Sequence, residues 1–423
     1  MPFEVVNSIQ AGSLGLAIEA SRSVFDVAFP LFAAQVLYSR TTLFFSALHI
    51  GSGLAMIALS QKTVAVWIEN LLSASFFILG MSYVFLGLCP PSFAFFLLTA
   101  GIIGLATSVA SIASSVRIQT LSRDKPERSL LNAAYRVMGI ITRIVSPLLI
   151  GNVLDITEKS QEQLVRSRYT ALLLTLGIGL CSMAAILYIS VSASPQDRGK
   201  RDVDQQGSQK QLSNSNSANW PQIIMYCFSA SLPNMAGGLI RSLLAAFLID
   251  KLNASVNFFS TTHAAAQLAS VFFTIIASRV LRHGGRSSLL RSLVTQSFAM
   301  TVAAFALGSC TSSVSAASTF VLMRAIEESC KLPNSLMLHE LCICSGNSST
   351  GTSSTNSALL VRAIALQKGI GAALKVCVSL LSAMSMHHLG VEMTIYFAAF
   401  ICLVGSASLA YTYYKNQTHH HDD

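Results

Sequence analysis

The chain has 423 residues, of which 52% are hydrophobic and only 11% are charged. Soluble domains carry about 25% charged residues, so this composition excludes a water-soluble globular protein and indicates an integral membrane protein. The formal net charge is +9, but no basic patch lies on a polar module, which argues against a nucleic-acid-binding protein. The apolar runs lack the period-2 alternation of a membrane β-barrel, and we therefore expect an all-α fold.

Apolar runs of about 20 residues, each long enough to cross a hydrocarbon core of about 30 Å, recur along the chain. They predict twelve transmembrane helices near 10–38, 41–60, 64–88, 91–117, 130–154, 168–193, 220–249, 256–279, 287–309, 314–343, 357–385 and 389–413. The polar stretch SPQDRGKRDVDQQGSQKQLSNSNSAN between the sixth and seventh runs predicts a flexible linker. The predicted parts are a six-helix bundle at 1–193, a linker at 194–219, a second six-helix bundle at 220–415 and a polar tail at 416–423.

The loops predict how the chain is oriented in the membrane. One set of loops and ends holds fourteen Lys and Arg residues, and the opposite set holds five. Because positively charged loops stay in the cytoplasm, we expect both termini and the linker to be cytoplasmic. We expect a monomer in the plasma membrane or a bacterial inner membrane, in contact with the lipid bilayer, with no cofactor and no nucleic-acid partner.

The two halves of the chain resemble each other. FFSALHIGSGLA at 44–55 and FFSTTHAAAQLA at 258–269 share six of twelve residues at a constant offset of 214. Two parallel six-helix repeats place a binding site between the halves, near the middle of the membrane.

Twelve spans, a central linker, cytoplasmic termini and two similar halves resemble the major facilitator superfamily of secondary transporters over the whole chain. FDVAFP at 25–30 is similar to an Asp-x-x-x-Pro motif of that family's first helix. RVMGIITRIVSPLLIGNVLD at 136–155 partly resembles the antiporter motif of its exporters. Small residues allow helices to approach closely, and a proline permits a kink. Roles in gating or helix packing are therefore predicted for Pro30, Gly139, Pro147 and Gly151.

The sequence also departs from that family. Its signature Gly-x-x-x-Asp-Arg-x-Gly-Arg-Arg is missing after the second span, where the chain reads SQKTVAVW at 60–67. NAAYR followed by Pro147 resembles ferroportins, so metal efflux is one alternative function. A scaffold or receptor that does not transport is an alternative of another class. The chain has no Gly-x-x-x-x-Gly-Lys-Ser/Thr motif and no catalytic constellation, which argues against an ATP-driven pump and an enzyme.

The first span carries Glu19, Arg22 and Asp26 at positions i, i+3 and i+7, on one face of a helix. A charge at the centre of a membrane helix costs at least about 2.5 kcal/mol unless it is paired or hydrated. One interpretation is a self-neutralising ladder that fixes helix packing. The other is a transport site, in which Arg22 binds substrate and Asp26 or Glu19 binds the coupling proton.

The tenth span carries the second charged cluster, VLMRAIEESCKLPN at 321–334. Spacing of i, i+4 predicts that Arg324 pairs with Glu328 and that Glu327 pairs with Lys331. These are either two structural pairs or part of the site, with Arg324 binding substrate and Glu328 coupling protons.

Other basic residues lie inside the predicted spans. Arg143 and Lys375 lie deep in their spans and are candidates for substrate binding, and Arg241, in the outer half of the seventh span near Asp250, is another. Arg136 and Arg362 lie near helix ends, where they can reach lipid phosphates. Nine basic residues in or near the spans stand against six acidic ones. This excess predicts a negatively charged or zwitterionic small-molecule substrate.

His49 and His263 occupy matching places in the two repeats. Histidine titrates near neutral pH, so the pair either senses external protons or forms hydrogen bonds between helices. The sequence as a whole predicts a secondary active transporter that works by alternating access. Proton is the expected coupling ion, and the antiporter-like motif makes export one possible direction.

Overall fold

A computed structural model describes residues 3–28, 41–59, 68–88, 93–121, 125–154, 162–192, 220–281, 286–344 and 353–418. Within these ranges every regular element is a helix. The fold is that of an all-α membrane protein, as the composition predicts. The predicted linker at 194–219 lies outside the described residues, and the division of the chain at that linker stays a prediction.

The first half begins with α1 at Phe3–Ser23, which continues into a π-helical segment at Val24–Ala28. Helix α1 therefore starts seven residues before the predicted boundary at 10, because residues 3–10 contain no Gly or Pro that would stop a helix. The other five helices are α2 (Thr41–Leu59), α3 (Ile68–Leu88), α4 (Phe93–Leu121), α5 (Lys125–Leu154) and α6 (Glu162–Ser192).

The second half repeats this plan. Its first helix, α7 (Trp220–Ala245), also continues into a π-helical segment, Ala246–Lys251. Three helices follow: α8 (Val256–Leu281), α9 (Arg286–Gly308) and α10 (Ser313–Cys344). The last helical stretch, Ser353–Thr418, is broken at Gly390, whose φ of 82° suits a residue without a side chain. We call residues 353–389 α11 and residues 391–418 α12, and the described part of the chain thus contains the twelve predicted helices.

The outer surface of the helices is apolar. Eight of the described helices are long and apolar enough to cross a membrane. Helix α10 is not one of these eight, since four charged residues fall within positions 324–331. Large apolar side chains project outward, including Leu98, Ile178, Ile186, Ile189 and Val302. Such a belt is unfavourable in water and favourable against lipid tails.

The halves meet along two pairs of helices, α5 with α8 and α2 with α11. In the first pair, a Cβ atom placed on Gly151 would lie 2.4 Å from the Cβ of Ser260, so only glycine permits this approach. In the second pair, a Cβ on Gly53 would lie 3.6 Å from the Cβ of Ala372. Between these two seams the halves separate and enclose a cavity.

Candidate functional site

The cavity between the halves has a volume of about 570 Å³. It is lined by α1, α2, α4 and α5 from the first half and by α7, α8, α10 and α11 from the second. Among the described residues, α3, α6, α9 and α12 contribute nothing to the lining. Pockets of about 300–1,000 Å³ are typical of sites for small molecules.

The lining of the cavity is strongly basic. Its ionisable carboxylates in the described part of the chain are Glu19 and Glu328. The basic side chains number seven: Arg22, Arg143, Arg241, Arg324, Lys331, Lys368 and Lys375. This set includes all five residues that the sequence predicts to bind substrate.

A first ion cluster, the Glu19 clamp, joins α1 to α5. Arg143 donates to Glu19 through Nε (2.7 Å) and Nη2 (2.9 Å). Arg22, one turn after Glu19 in α1, donates from Nη1 at 2.8 Å and also reaches Ser111 Oγ of α4 at 3.1 Å. The i, i+3 spacing of Glu19 and Arg22 predicts the contact between them. The contact between Glu19 and Arg143 could not be predicted from spacing, because these residues are 124 positions apart.

A second cluster, the Glu327 clamp, joins α10 to α7. Glu327 pairs with Arg324 of its own helix and accepts a bond from Arg241 Nη2 of α7 at 3.2 Å. The Arg324 side chain is 3% exposed and that of Glu327 is 2% exposed. Glu327 therefore lies behind the cavity wall, whereas Arg241 and Arg324, which hold it, are part of the cavity lining.

The predicted pairing of Glu327 with Lys331 is wrong. Lys331 Nζ lies 2.6 Å from both carboxylate oxygens of Glu328. Glu328 also accepts a bond from Arg324 Nη2 at 3.0 Å, as its i, i+4 spacing predicts. The physical reason is that Glu327 points toward α7, and Arg241 of α7 together with Arg324 of α10 already compensates its charge.

In each clamp the glutamate packs against a glycine of the helix that supplies the arginine across the helix contact. A Cβ on Gly139 of α5 would lie 3.3 Å from Cγ of Glu19, and a Cβ on Gly237 of α7 would lie 2.7 Å from Oε2 of Glu327. In both helices the arginine of the clamp follows this glycine by four residues, one turn later. The sequence predicts a packing role for Gly139 but does not single out Gly237. The shared Gly-x-x-x-Arg spacing is the signal that would have found it.

Substitution of Gly237 by alanine is expected to lower the thermal unfolding midpoint of the purified protein by several degrees. The added methyl group would displace the Glu327 carboxylate from Arg241 and Arg324. Gly238→Ala is the matched control, because its Cβ would meet only Arg241 Nη2 at 3.7 Å, an ordinary contact. Equal unfolding midpoints for the two variants would contradict the clamp.

The two predicted histidines both line the cavity but have different surroundings. His263 is buried between the rings of Phe259 and Phe320, with centroids 4.7 and 5.2 Å away. Its Nε2 has no hydrogen-bond partner within the part of the chain that the structure describes. His49 is partly exposed beside Phe45. A role for either in proton coupling stays a prediction.

The remaining predicted residues divide into three groups. Pro147 lines the cavity and, because proline has no N–H, leaves the carbonyl of Arg143 without its helical donor. Arg136 is exposed and is not part of the lining. The third group lies outside what the structure describes and consists of Pro30 and the side chains of Asp26 and Arg362.

Within the described ranges, we looked for side chains that could ligate a metal ion. Groups of three or more His, Cys, Asp or Glu side chains that could hold a metal ion do not occur among the described residues. The arrangement is instead a set of carboxylates held by arginines that also face a cavity. Such groups can exchange one anionic partner for another.

Known proteins resemble the chain in both sequence and fold. The family model described as the MFS_1 like family matches residues 41–330. No curated protein matches the chain. An inward-facing bacterial homologue of the human lysosomal transporter Spinster superposes with a TM-score of 0.73 at 12% identity, covering 98% of this chain and 97% of that one.

Two further solved structures have the same fold. The nucleoside transporter NupG superposes with a TM-score of 0.68 at 12% identity, covering 98% of this chain and 99% of its own. A D-xylose-proton symporter superposes with a TM-score of 0.64 at 14% identity, covering 96% and 97%. At these identities the similarity is one of fold alone.

Proposed function

The chain belongs to the MFS_1 like family, and from that premise we propose that it moves a small organic anion across a membrane by alternating access. The observation that carries the proposal is the cavity lining, which among the described residues has seven basic side chains and two carboxylates. An uncharged or cationic solute would leave this excess of positive charge uncompensated in a medium of low dielectric constant.

The clamps support a way to exchange partners. Arg22 and Arg143 are 41% and 35% exposed in their side chains, whereas the Glu19 that they hold is 7% exposed. A solute anion in the cavity can therefore reach both guanidinium groups from the open side. Arginine binds carboxylate and phosphate groups through paired N–H donors, which makes these two residues suitable for the solute.

Proton coupling follows from the same exchange. When a solute anion takes over Arg22 and Arg143, Glu19 loses two positively charged partners in a site of low dielectric constant. Opposite charges nearby favour the ionised carboxylate, so their loss favours uptake of a proton. We propose that Glu19 carries the coupling proton. Asp26, seven residues or about two turns beyond Glu19 on the same predicted face, is the second candidate.

We expect Glu19→Gln to abolish the pH dependence of transport in proteoliposomes, because the amide can neither bind nor release a proton. Asp26→Asn is measured beside it to decide between the two carboxylates. Asp250→Asn serves as the control, since Asp250 lies in the π-helical segment after α7 and is not part of the cavity lining. An unchanged pH profile in both Glu19→Gln and Asp26→Asn would remove these carboxylates from the coupling mechanism.

A stabilisation screen tests the proposed substrate class. The purified protein is heated with organic anions, amino acids, neutral sugars and nucleosides, metal chelators and divalent metals, and solutes that raise the unfolding midpoint are tested for transport. We expect organic anions to stabilise the protein and their uncharged analogues to have no effect.

The same screen separates the alternatives. If divalent metals alone, with no chelator added, raise the unfolding midpoint, ferroportin-like efflux would be favoured over anion transport. Stabilisation by no solute at all would favour the scaffold or receptor. Stabilisation by neutral sugars or nucleosides but not by anions would contradict the charge argument.

A further inference from the structure

Hydroxyl side chains are concentrated on one side of the cavity. The described lining includes six of them, and five belong to the first half: Ser23, Ser52, Thr107, Ser108 and Ser111. Three of these five lie on one face of α4, because positions 107, 108 and 111 are separated by about one turn. Ser52 of α2 joins them through a hydrogen bond of 2.7 Å between its Oγ and that of Ser108. We call Ser52, Thr107, Ser108 and Ser111 the hydroxyl wall.

The two serines that join α2 to α4 keep hydrogen-bonding capacity for a solute. Inside a helix, a serine or threonine hydroxyl commonly donates to the carbonyl four residues earlier, as Thr99 of α4 does to the carbonyl of Phe95 at 2.8 Å. Ser52 and Ser108 instead bond only to each other among the described residues. A hydroxyl has one hydrogen and two lone pairs, so a single bond between two hydroxyls leaves one hydrogen and most of the lone pairs unused. Both serines are partly exposed.

Thr107 has a hydroxyl that the fold leaves unsatisfied. The residue lines the cavity, and its Oγ1 is buried without a hydrogen-bond partner in the part of the chain that the structure describes. A buried polar atom without a partner is unfavourable and calls for an explanation. Threonine in a helix has two common χ1 rotamers. A change of rotamer when solute binds would present this hydroxyl to the cavity.

The hydroxyl wall begins at the proposed anion site. Arg22 Nη2 donates to Ser111 Oγ at 3.1 Å, and the side chain of Arg22 is 41% exposed. Residues three or four positions apart on a helix have Cβ atoms about 5–6 Å from each other, so Thr107 and Ser108 lie one turn from this contact. An anionic group bound by Arg22 would therefore place the next atoms of the solute beside the wall.

Resting on the proposed anion transport, we infer that the solute is a hydroxylated organic anion, with its anionic group bound by Arg22 and its hydroxyl groups bonded to the hydroxyl wall. The chemical class is a hydroxycarboxylate or the phosphate ester of a polyol. Serine and threonine can both donate to and accept from a solute hydroxyl, whereas arginine can only donate. Leu48 and Met56, four residues before and after Ser52, also line the cavity and suit the C–H surfaces of such a carbon skeleton.

Matched pairs of solutes test this inference. Apparent affinities are measured by concentration-dependent thermal stabilisation with glycerate beside propionate, gluconate beside hexanoate, and glycerol phosphate beside propyl phosphate. The members of a pair have the same charge and the same carbon skeleton and differ only in their hydroxyl groups. We expect the hydroxylated member of at least one pair to bind about tenfold more tightly or better, because it forms hydrogen bonds that its counterpart lacks.

Variants of the hydroxyl wall sharpen the test. Thr107→Val and Ser108→Ala are each expected to reduce the affinity for the hydroxylated member about fivefold, with the affinity for its counterpart changed less than about twofold. Thr107→Val removes an unsatisfied hydroxyl and keeps the branched shape of the side chain, so the unfolding midpoint without solute should not fall. Thr99→Val is the control in the same helix, because Thr99 is buried outside the lining. It should leave the preference for hydroxylated solutes unchanged.

The outcomes distinguish the inference from the proposed function. Equal affinity within every pair would overturn the inference and leave anion transport standing. A preference for hydroxylated solutes that survives both substitutions would also overturn it, because the hydroxyl wall would then not be its source. If the neutral polyols glycerol and sorbitol bind as tightly as the hydroxylated anions, the proposed anion transport fails, and the inference that rests on it fails with it.

Discussion

Replacement of Glu327 by alanine is expected to destabilise the protein by about 3–5 kcal/mol, the usual cost of removing one partner from a buried ion pair. Arg324 would remain buried as an uncompensated cation, and Arg241 would lose its contact at the cavity wall. The measurement is thermal or denaturant unfolding of the purified protein in one detergent, with the unfolding midpoint compared to that of the wild type.

Glu392→Ala is the matched control for Glu327→Ala. Glu392 also forms an ion pair, with Lys251, but both side chains are more than a third exposed. Exposed pairs contribute about 0–1 kcal/mol, so this variant should unfold close to the wild-type midpoint. Equal destabilisation by the two alanine substitutions would mean that burial of the Glu327 clamp does not determine its contribution to stability.

Arg143→Gln is expected to reduce transport of the solute about 10- to 100-fold at low concentration, since a hydrogen bond to a charged group contributes about 1.5–3 kcal/mol. The substitution removes the bidentate partner of Glu19 together with one of the two arginines that the solute contacts in the first half. Initial rates of uptake into proteoliposomes measure the effect, normalised to the amount of reconstituted protein.

Arg136→Gln provides the control in the same helix. Arg136 lies seven residues before Arg143, but its side chain is exposed and does not line the cavity. We expect its transport rate to stay within twofold of the wild type. A similar loss in both variants would show that a general loss of positive charge, rather than the Glu19 clamp, controls the rate.

The helices were predictable because they follow from length and hydrophobicity. Each apolar run is long enough to span a bilayer, and twelve runs predict the twelve helices of the described chain. The boundary of α1 was less predictable, since polar residues such as Asn7 continue a helix as readily as apolar ones when no Gly or Pro intervenes. The π-helical segments that end α1 and α7 also leave no simple pattern in sequence.

The site was predictable only in its local contacts. A spacing of three or four residues predicts Glu19 with Arg22 and Arg324 with Glu328, because these pairs lie on one helix face. The contacts of Arg143 with Glu19 and of Arg241 with Glu327 depend on which helices pack together, and this is a tertiary property. The incorrect pairing of Glu327 with Lys331 has the same origin, because helix spacing alone takes no account of Arg241.

The most direct test of the central claim is the dependence of binding on the charge of the solute. The best anion from the stabilisation screen and its uncharged amide are titrated calorimetrically into the wild-type protein and into Arg22→Gln. We predict that the wild type binds the anion at least 100-fold more tightly than the amide, and that Arg22→Gln loses most of this difference. Equal affinity of the wild type for the anion and the amide would contradict the claim that the basic cavity selects an organic anion.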